Sequence, residues 1–201
     1  MHQLDIRIDW QAFVAGDERI LEHVYNTFFN SLFNFGRKYT TNEDLIADAI
    51  QDLFVRLWKN RRNLQKPKSL KNYLFKGFRN HLNDRLKSEA RYVPDEFGDQ
   101  CVFEWAPSAE DIQVSTEMVT ARKNRLDEAM ARLTDRQREA IFLRFYEEFS
   151  YVEVAEVLGI TIKATYKLMA RSIEVIRVGL DSNKATVLFI LLHRITALKL
   201  Q

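Results

Sequence analysis

Cysteine is almost missing from this chain of 201 residues: Cys101 stands alone, which excludes an intramolecular disulfide and any multi-cysteine zinc site. Histidine is scarce too. His2, His23, His81 and His193 are scattered without His-Glu-x-x-His or similar spacing, so each reads as a surface or core residue rather than a ligand. There is no nucleophile–base pair and no Gly-rich phosphate loop, so no catalytic residue, metal or cofactor is expected and an enzyme is the weakest reading. Six glycines and three prolines leave little material for β-turns, while periodic apolar runs are frequent, so the fold class is expected to be all-α. The start of the chain lacks a charged-then-apolar leader. The longest apolar run, Ala185 to Leu192, is far shorter than the roughly 20 residues a bilayer requires. The expectation is a cytoplasmic protein without membrane insertion.

What the chain does contain is unevenly placed charge. Its net of +2 conceals alternating blocks. Residues 1–58 hold five Lys/Arg against nine Asp/Glu, a net of −4; residues 59–91 hold eleven against two, a net of +9. Residues 92–120 hold seven acids and no base, and residues 121–201 hold fourteen bases against ten acids. A basic block of that density is an electrostatic footprint for phosphate.

Helical periodicity fills most of the chain. Residues 20–40 form an aromatic-rich segment expected to bury Tyr25, Phe28, Phe29, Leu32 and Phe35. Over 42–58, Leu45, Ile46, Ala49, Ile50, Leu53, Phe54 and Leu57 make one apolar face, while Asp44, Asp48 and Asp52 recur every four residues on another. Like charges so spaced cost an isolated helix about 0.2–0.5 kcal/mol per pair, and Arg56 relieves only the last. Either the stripe is a solvated face or it docks a basic partner. Beyond a polar loop, the helix 70–91 has a core side of Leu70, Leu74, Phe78, Leu82 and Leu86, with Gly77 permitting close approach. Its other side carries Asn72, Lys76, Arg79, Asn80, Asn83 and Lys87, amides for base edges and cations for phosphates. Tyr73 and Phe75 flank that stripe and are expected to stack on unpaired bases.

Residues 92–118 hold Pro94, Gly98, Pro107 and no sustained periodicity, the mark of a linker. Two amphipathic helices follow, 121–133 and 134–148, the second opened by a Thr134/Gln137 capping box. Then comes FSYVEVAEVLGITIKATYKLMARS, residues 149–172. Ser150 and Glu153 have capping-box spacing, Phe149 and Val154 make the matching staple, Gly159 ends the helix and Thr161 caps the next. So short a turn, with Ala155 at the crossing, predicts a helix-turn-helix, either a DNA-reading one or an ordinary helical corner.

NEDLIADAIQDLFVRLW, KSLKNYLFKGFRNHLNDRLKSEAR and the run from Leu133 to Ser172, in this order and split by an acidic linker, resemble an extracytoplasmic-function (ECF) sigma factor of bacterial RNA polymerase. The resemblance covers about residues 10–91 and 120–178. It implies two small helical domains: residues 1–91, for polymerase docking and the minus-ten element, and residues 121–178, a helix-turn-helix domain for the minus-thirty-five element. The acidic linker spans 92–120 and an apolar C-terminal extension 179–201, which either packs on its own domain or serves a regulatory partner. The resemblance puts Asp44, Asp48, Gln51, Asp52, Phe54, Leu57 and Trp58 on the polymerase-binding helix. It gives Arg61, Arg62, Lys68, Tyr73, Lys76, Arg79, Asn80 and Asn83 to the minus-ten strand. Thr161, Lys163, Ala164, Tyr166, Lys167 and Arg171 fall on the minus-thirty-five helix. Tyr166 and Leu168 depart from the charged or strongly polar residues frequent there, and the spacing leaves open whether Leu168 or Met169 faces the core. Implied partners are core RNA polymerase, promoter DNA and an anti-sigma factor. The alternative is a helix-turn-helix regulator that works without polymerase.

Overall fold

The computed structural model describes residues 8–90, 102–104 and 125–180, and every regular element among them is a helix. The chain divides into two compact units, Met1–Glu96 and Phe97–Gln201.

Four helices build the first unit: α1 (Trp10–Ala15), α2 (Glu18–Gly36), α3 (Glu43–Asn60) and α4 (Leu70–Ala90), with a 3-10 turn at Arg61–Asn63. Each begins at a polar cap. Asp9 accepts from the Gln11 and Ala12 N–H groups, Asp17 from Arg19, Asn42 from Leu45 and Ser69 Oγ from Asn72. The six-residue α1 is too short to show periodicity and was not apparent in the sequence. It packs Phe13, 5.8 Å edge-on, against Trp58.

The core of this unit comes from Val24, Phe28, Leu32 and Phe35 of α2, all seven expected apolar residues of α3, and Leu74, Phe75, Phe78 and Leu82 of α4. Three expectations are corrected. Val24 joins the core at 2% exposed, while Tyr25 and Phe29 are only half-buried, Tyr25 meeting Phe54 edge-on at 5.1 Å. Phe75 is fully buried, 5.3 Å from Phe35, so it is a core residue and not a stacking platform. Asn72 is 6% exposed, inside the fold rather than on the base-reading side. Leu70 and Leu86, at the ends of α4, are half-buried. Helices approach closely at two glycines: a Cβ on Gly36 would lie 2.6 Å from Ile46 Cγ2, and one on Gly77 2.9 Å from Leu53 Cδ1.

The second unit contains α5 (described over 125–131), α6 (Asp135–Ile141), α7 (Tyr151–Leu158) and α8 (Ile162–Gly179). The capping boxes at Thr134/Gln137 and Ser150/Glu153 are both closed, and Phe149 and Val154 are both buried. The continuous helix expected over 134–148 is not present. After Ile141 the backbone widens into a π turn, Phe142–Tyr146, in which the Glu147 N–H donates to the Phe142 carbonyl at 3.2 Å. Ile141, Phe142, Leu143 and Phe145 are all buried, more than one face of a 3.6-residue helix accommodates. Gly159 adopts φ 64°, and the Ile160 N–H donates back to the Ala155 carbonyl, which gives the sharp corner.

Within the acidic segment, Phe103 is buried in the second unit, 5.9 Å from Phe142, and its carbonyl accepts from Arg138 Nε at 2.8 Å. The rest of the segment, with Cys101, and the extension beyond Leu180 lie outside the described residues.

Candidate functional site

Three exposed helix faces carry the chemistry. On α3 the exposed residues Asp44, Asp48, Gln51 and Val55 follow one another at four, three and four residues, and half-buried Trp58 continues the line. That spacing makes one straight seam along a helix, suited to a partner helix laid alongside. Val55, 48% exposed, is an apolar residue of this line, next to Trp58, that an expectation built on charge overlooked. Phe54 and Leu57, expected on the polymerase-binding helix, are 4% and 3% exposed and serve the core instead of a surface.

Asp52 departs from the seam as well. Its Oδ2 accepts from Arg85 Nη2 of α4 at 2.5 Å and lies 3.2 Å from His81 Nε2. Arg85 Nη1 also stands 3.9 Å from Asp48 Oδ2. The counter-charge to the acidic stripe thus comes from α4, about four turns into a helix read for its DNA face. Periodicity within one helix cannot reveal a pairing across two.

On α4, Tyr73, Lys76 and Asn80 are exposed at spacings of three and four, with half-buried Asn83 next in line and half-buried Arg79 beside it. Tyr73 is the exposed aromatic of this face, at 39%. The Asn83 Oδ1 is buried without a hydrogen-bond partner among the described residues. Arg62 and Lys68 are exposed in the connecting loop. Arg61 is engaged inward: its guanidinium lies 4.1 Å over Trp58, and its Nη1 donates to the Trp58 carbonyl at 2.9 Å. It serves the end of α3 rather than the loop.

On α8, Thr161 caps the helix by accepting from the Ala164 N–H at 3.1 Å. Thr161, Lys163, Tyr166, Lys167 and Arg171 are exposed, and Ala164 is half-buried. Met169 is the core residue, 1% exposed, and Leu168 is half-buried. Thr165 and Ser172 are fully buried and donate to the Thr161 and Leu168 carbonyls of their own helix. The Tyr166 ring stacks on Tyr151 of α7, centroids 4.5 Å apart. Among the described residues there is no cluster fit to hold a metal ion, and no helix long and apolar enough to cross a membrane.

The Sigma-70 region 2 family model matches residues 24–92, and the Sigma-70 region 4 model matches residues 123–174. The ECF RNA polymerase sigma factor RpoE of Cereibacter sphaeroides is 24% identical over 171 residues, covering 81% of this chain and 91% of that protein. Two solved structures share the fold. CnrH in complex with the cytosolic domain of CnrY has a TM-score of 0.56 at 19% identity, over 86% of this chain and 94% of that one. The sigma factor RpoE of Bartonella quintana, in complex with the anti-sigma factor NepR, has 0.57 at 22%, over 80% and 96%.

Proposed function

The chain belongs to the ECF sigma factors of the sigma-70 family, directing transcription initiation through RNA polymerase and promoter DNA, and from that premise we propose how its three faces divide the work. The α3 seam docks a basic helix of core polymerase: Asp44 and Asp48 meet its cations, Gln51 bonds it, and Val55 and Trp58 give apolar contact. Arg62, Lys68 and the α4 face take the opened minus-ten strand, with cations on phosphates, Asn80 on a base edge and Tyr73 under a base. Opening a duplex costs unstacking energy, and capture of an extruded base offsets part of it without nucleotide hydrolysis. The exposed residues of α8 bind the minus-thirty-five duplex. The domains are assigned as residues 1–91 and 121–178, joined by the acidic linker 92–120, with 179–201 a partner-facing or self-packing extension. The protein works in the cytoplasm, without chemistry of its own. An anti-sigma factor holds it inactive, a partner of the kind bound to its structural relative from Bartonella.

One observation carries this reading. The exposed side of α4 presents a ring, a cation and an amide in line while its other side is buried. A regulator acting without polymerase leaves both this face and the α3 seam idle. Asp44→Lys with Asp48→Lys is expected to weaken core polymerase binding at least tenfold while helicity is kept. Asp52 is left alone because it accepts the hydrogen bond from Arg85, and its loss would disturb the pairing of α3 with α4. Lys167→Ala is expected to impair closed-complex formation, with rescue at low salt. Asn80→Ala is expected to spare closed binding and slow strand opening, with rescue by a pre-melted bubble. Permanganate footprinting on duplex and bubble promoters reads both, and rescue of Lys167→Ala but not Asn80→Ala by the bubble would sink the division.

A further inference from the structure

We propose that Tyr166 determines promoter specificity by reading the 5-methyl group of a thymine in the minus-thirty-five duplex, from a ring that Tyr151 holds in place. This rests on the assignment of α8 to that duplex.

Tyr166 is 56% exposed, a large ring on the surface of a helix whose neighbouring exposed residues, Lys163 and Lys167, are cations. An exposed tyrosine ordinarily samples several rotamers and loses that freedom on binding. Here the ring stacks on Tyr151, with the planes 26° apart. Tyr151 is itself backed by the Arg144 guanidinium, 5.4 Å from its centroid, and Arg144 Nη1 donates to the Phe149 carbonyl at 3.0 Å. A relay from the π turn through α7 therefore orients the Tyr166 ring before DNA arrives. Ordering in advance lowers the entropic cost of contact.

The chemistry of the ring narrows what it reads. Discriminating guanine or adenine in the major groove takes a bidentate cation or amide, which tyrosine lacks. Its single hydroxyl donates or accepts equally well and so separates base pairs poorly. Its ring carbons discriminate by apolar contact, and the thymine methyl is the apolar group displayed in that groove. A fixed aromatic edge flanked by phosphate-holding lysines favours a T·A pair at one position.

The test uses the holoenzyme with core polymerase and a duplex library randomised over the minus-thirty-five element. Wild type is expected to enrich thymine at one position, and Tyr166→Ala to lose that enrichment alone. On the selected duplex, deoxyuridine at that position is expected to weaken wild-type binding about fourfold, the effect of one buried methyl, and to leave Tyr166→Ala unchanged. Tyr151→Phe keeps the ring and should keep the discrimination. Tyr151→Leu should lose it without altering the salt dependence, which a general loss of fold would change. Equal wild-type binding to thymidine and deoxyuridine overturns the inference, as does undiminished thymine enrichment by Tyr166→Ala. Failure of Lys167→Ala to weaken duplex binding overturns the assignment of α8 itself, and the inference with it.

Discussion

The Asp52 carboxylate is held below its usual value of 3.8, first by the hydrogen bond from Arg85; partial desolvation opposes this and His81 adds to the lowering. An acid whose folded pKa lies below its unfolded one stabilises the fold above the unfolded value, and that contribution is lost as the pH falls through the folded value. Asp52→Asn should therefore lower the unfolding free energy at pH 7 and matter progressively less below pH 3.8. The carboxylate is 44% exposed, so solvent screening limits the effect to about 1 kcal/mol or less. Urea denaturation of both proteins at pH 7 and pH 3 checks this. A gap of equal size at both would place the effect in packing rather than charge.

Two glycines separate two ways in which an element constrains its sequence. At Gly159 nothing lies within 4 Å of an added Cβ, yet φ is 64°. Gly159→Ala is thus opposed only by backbone conformation, about 1–2 kcal/mol. At Gly36 the Cβ would press on Ile46 Cγ2, a steric opposition of about 1–3 kcal/mol that should shrink when Gly36→Ala is made in an Ile46→Ala background, which lacks that carbon. Thermal denaturation of Gly159→Ala, Gly36→Ala, Ile46→Ala and the double variant distinguishes the two, since no neighbour substitution rescues Gly159→Ala. The Gly159 corner was legible in the sequence because its signals are local: a cap, a glycine and a second cap within twelve residues. So was the apolar face of α3, where all seven expected residues are buried. The burial of Phe75 and Asn72 was not, because α4 is covered by neighbours on more than the side its leucines mark. Nor were the π turn and the Arg85 pairing, which arise from tertiary demand rather than from any short-range pattern.

Over the whole molecule, charge alternates along the chain, and the seven acids of residues 92–120 are expected to follow a basic channel of the polymerase. Neutralising them should lower holoenzyme stability most at low salt. Phe103 gives that segment a second role, because it is a core residue of the second unit. Phe103→Ala should destabilise that unit by about 3–5 kcal/mol, in line with aromatic truncations elsewhere. The indole rings offer a way to see whether the first unit notices. Of the three tryptophans, Trp10 and Trp58 belong to the first unit, where each neighbours Phe13, and Trp105 lies outside the described residues. With Trp105 replaced by phenylalanine, indole emission, excited where tyrosine does not absorb, reports the first unit alone, while circular dichroism reports both. A Phe103→Ala change that shifts the dichroism trace and leaves the emission trace in place would show two cooperative transitions in one chain.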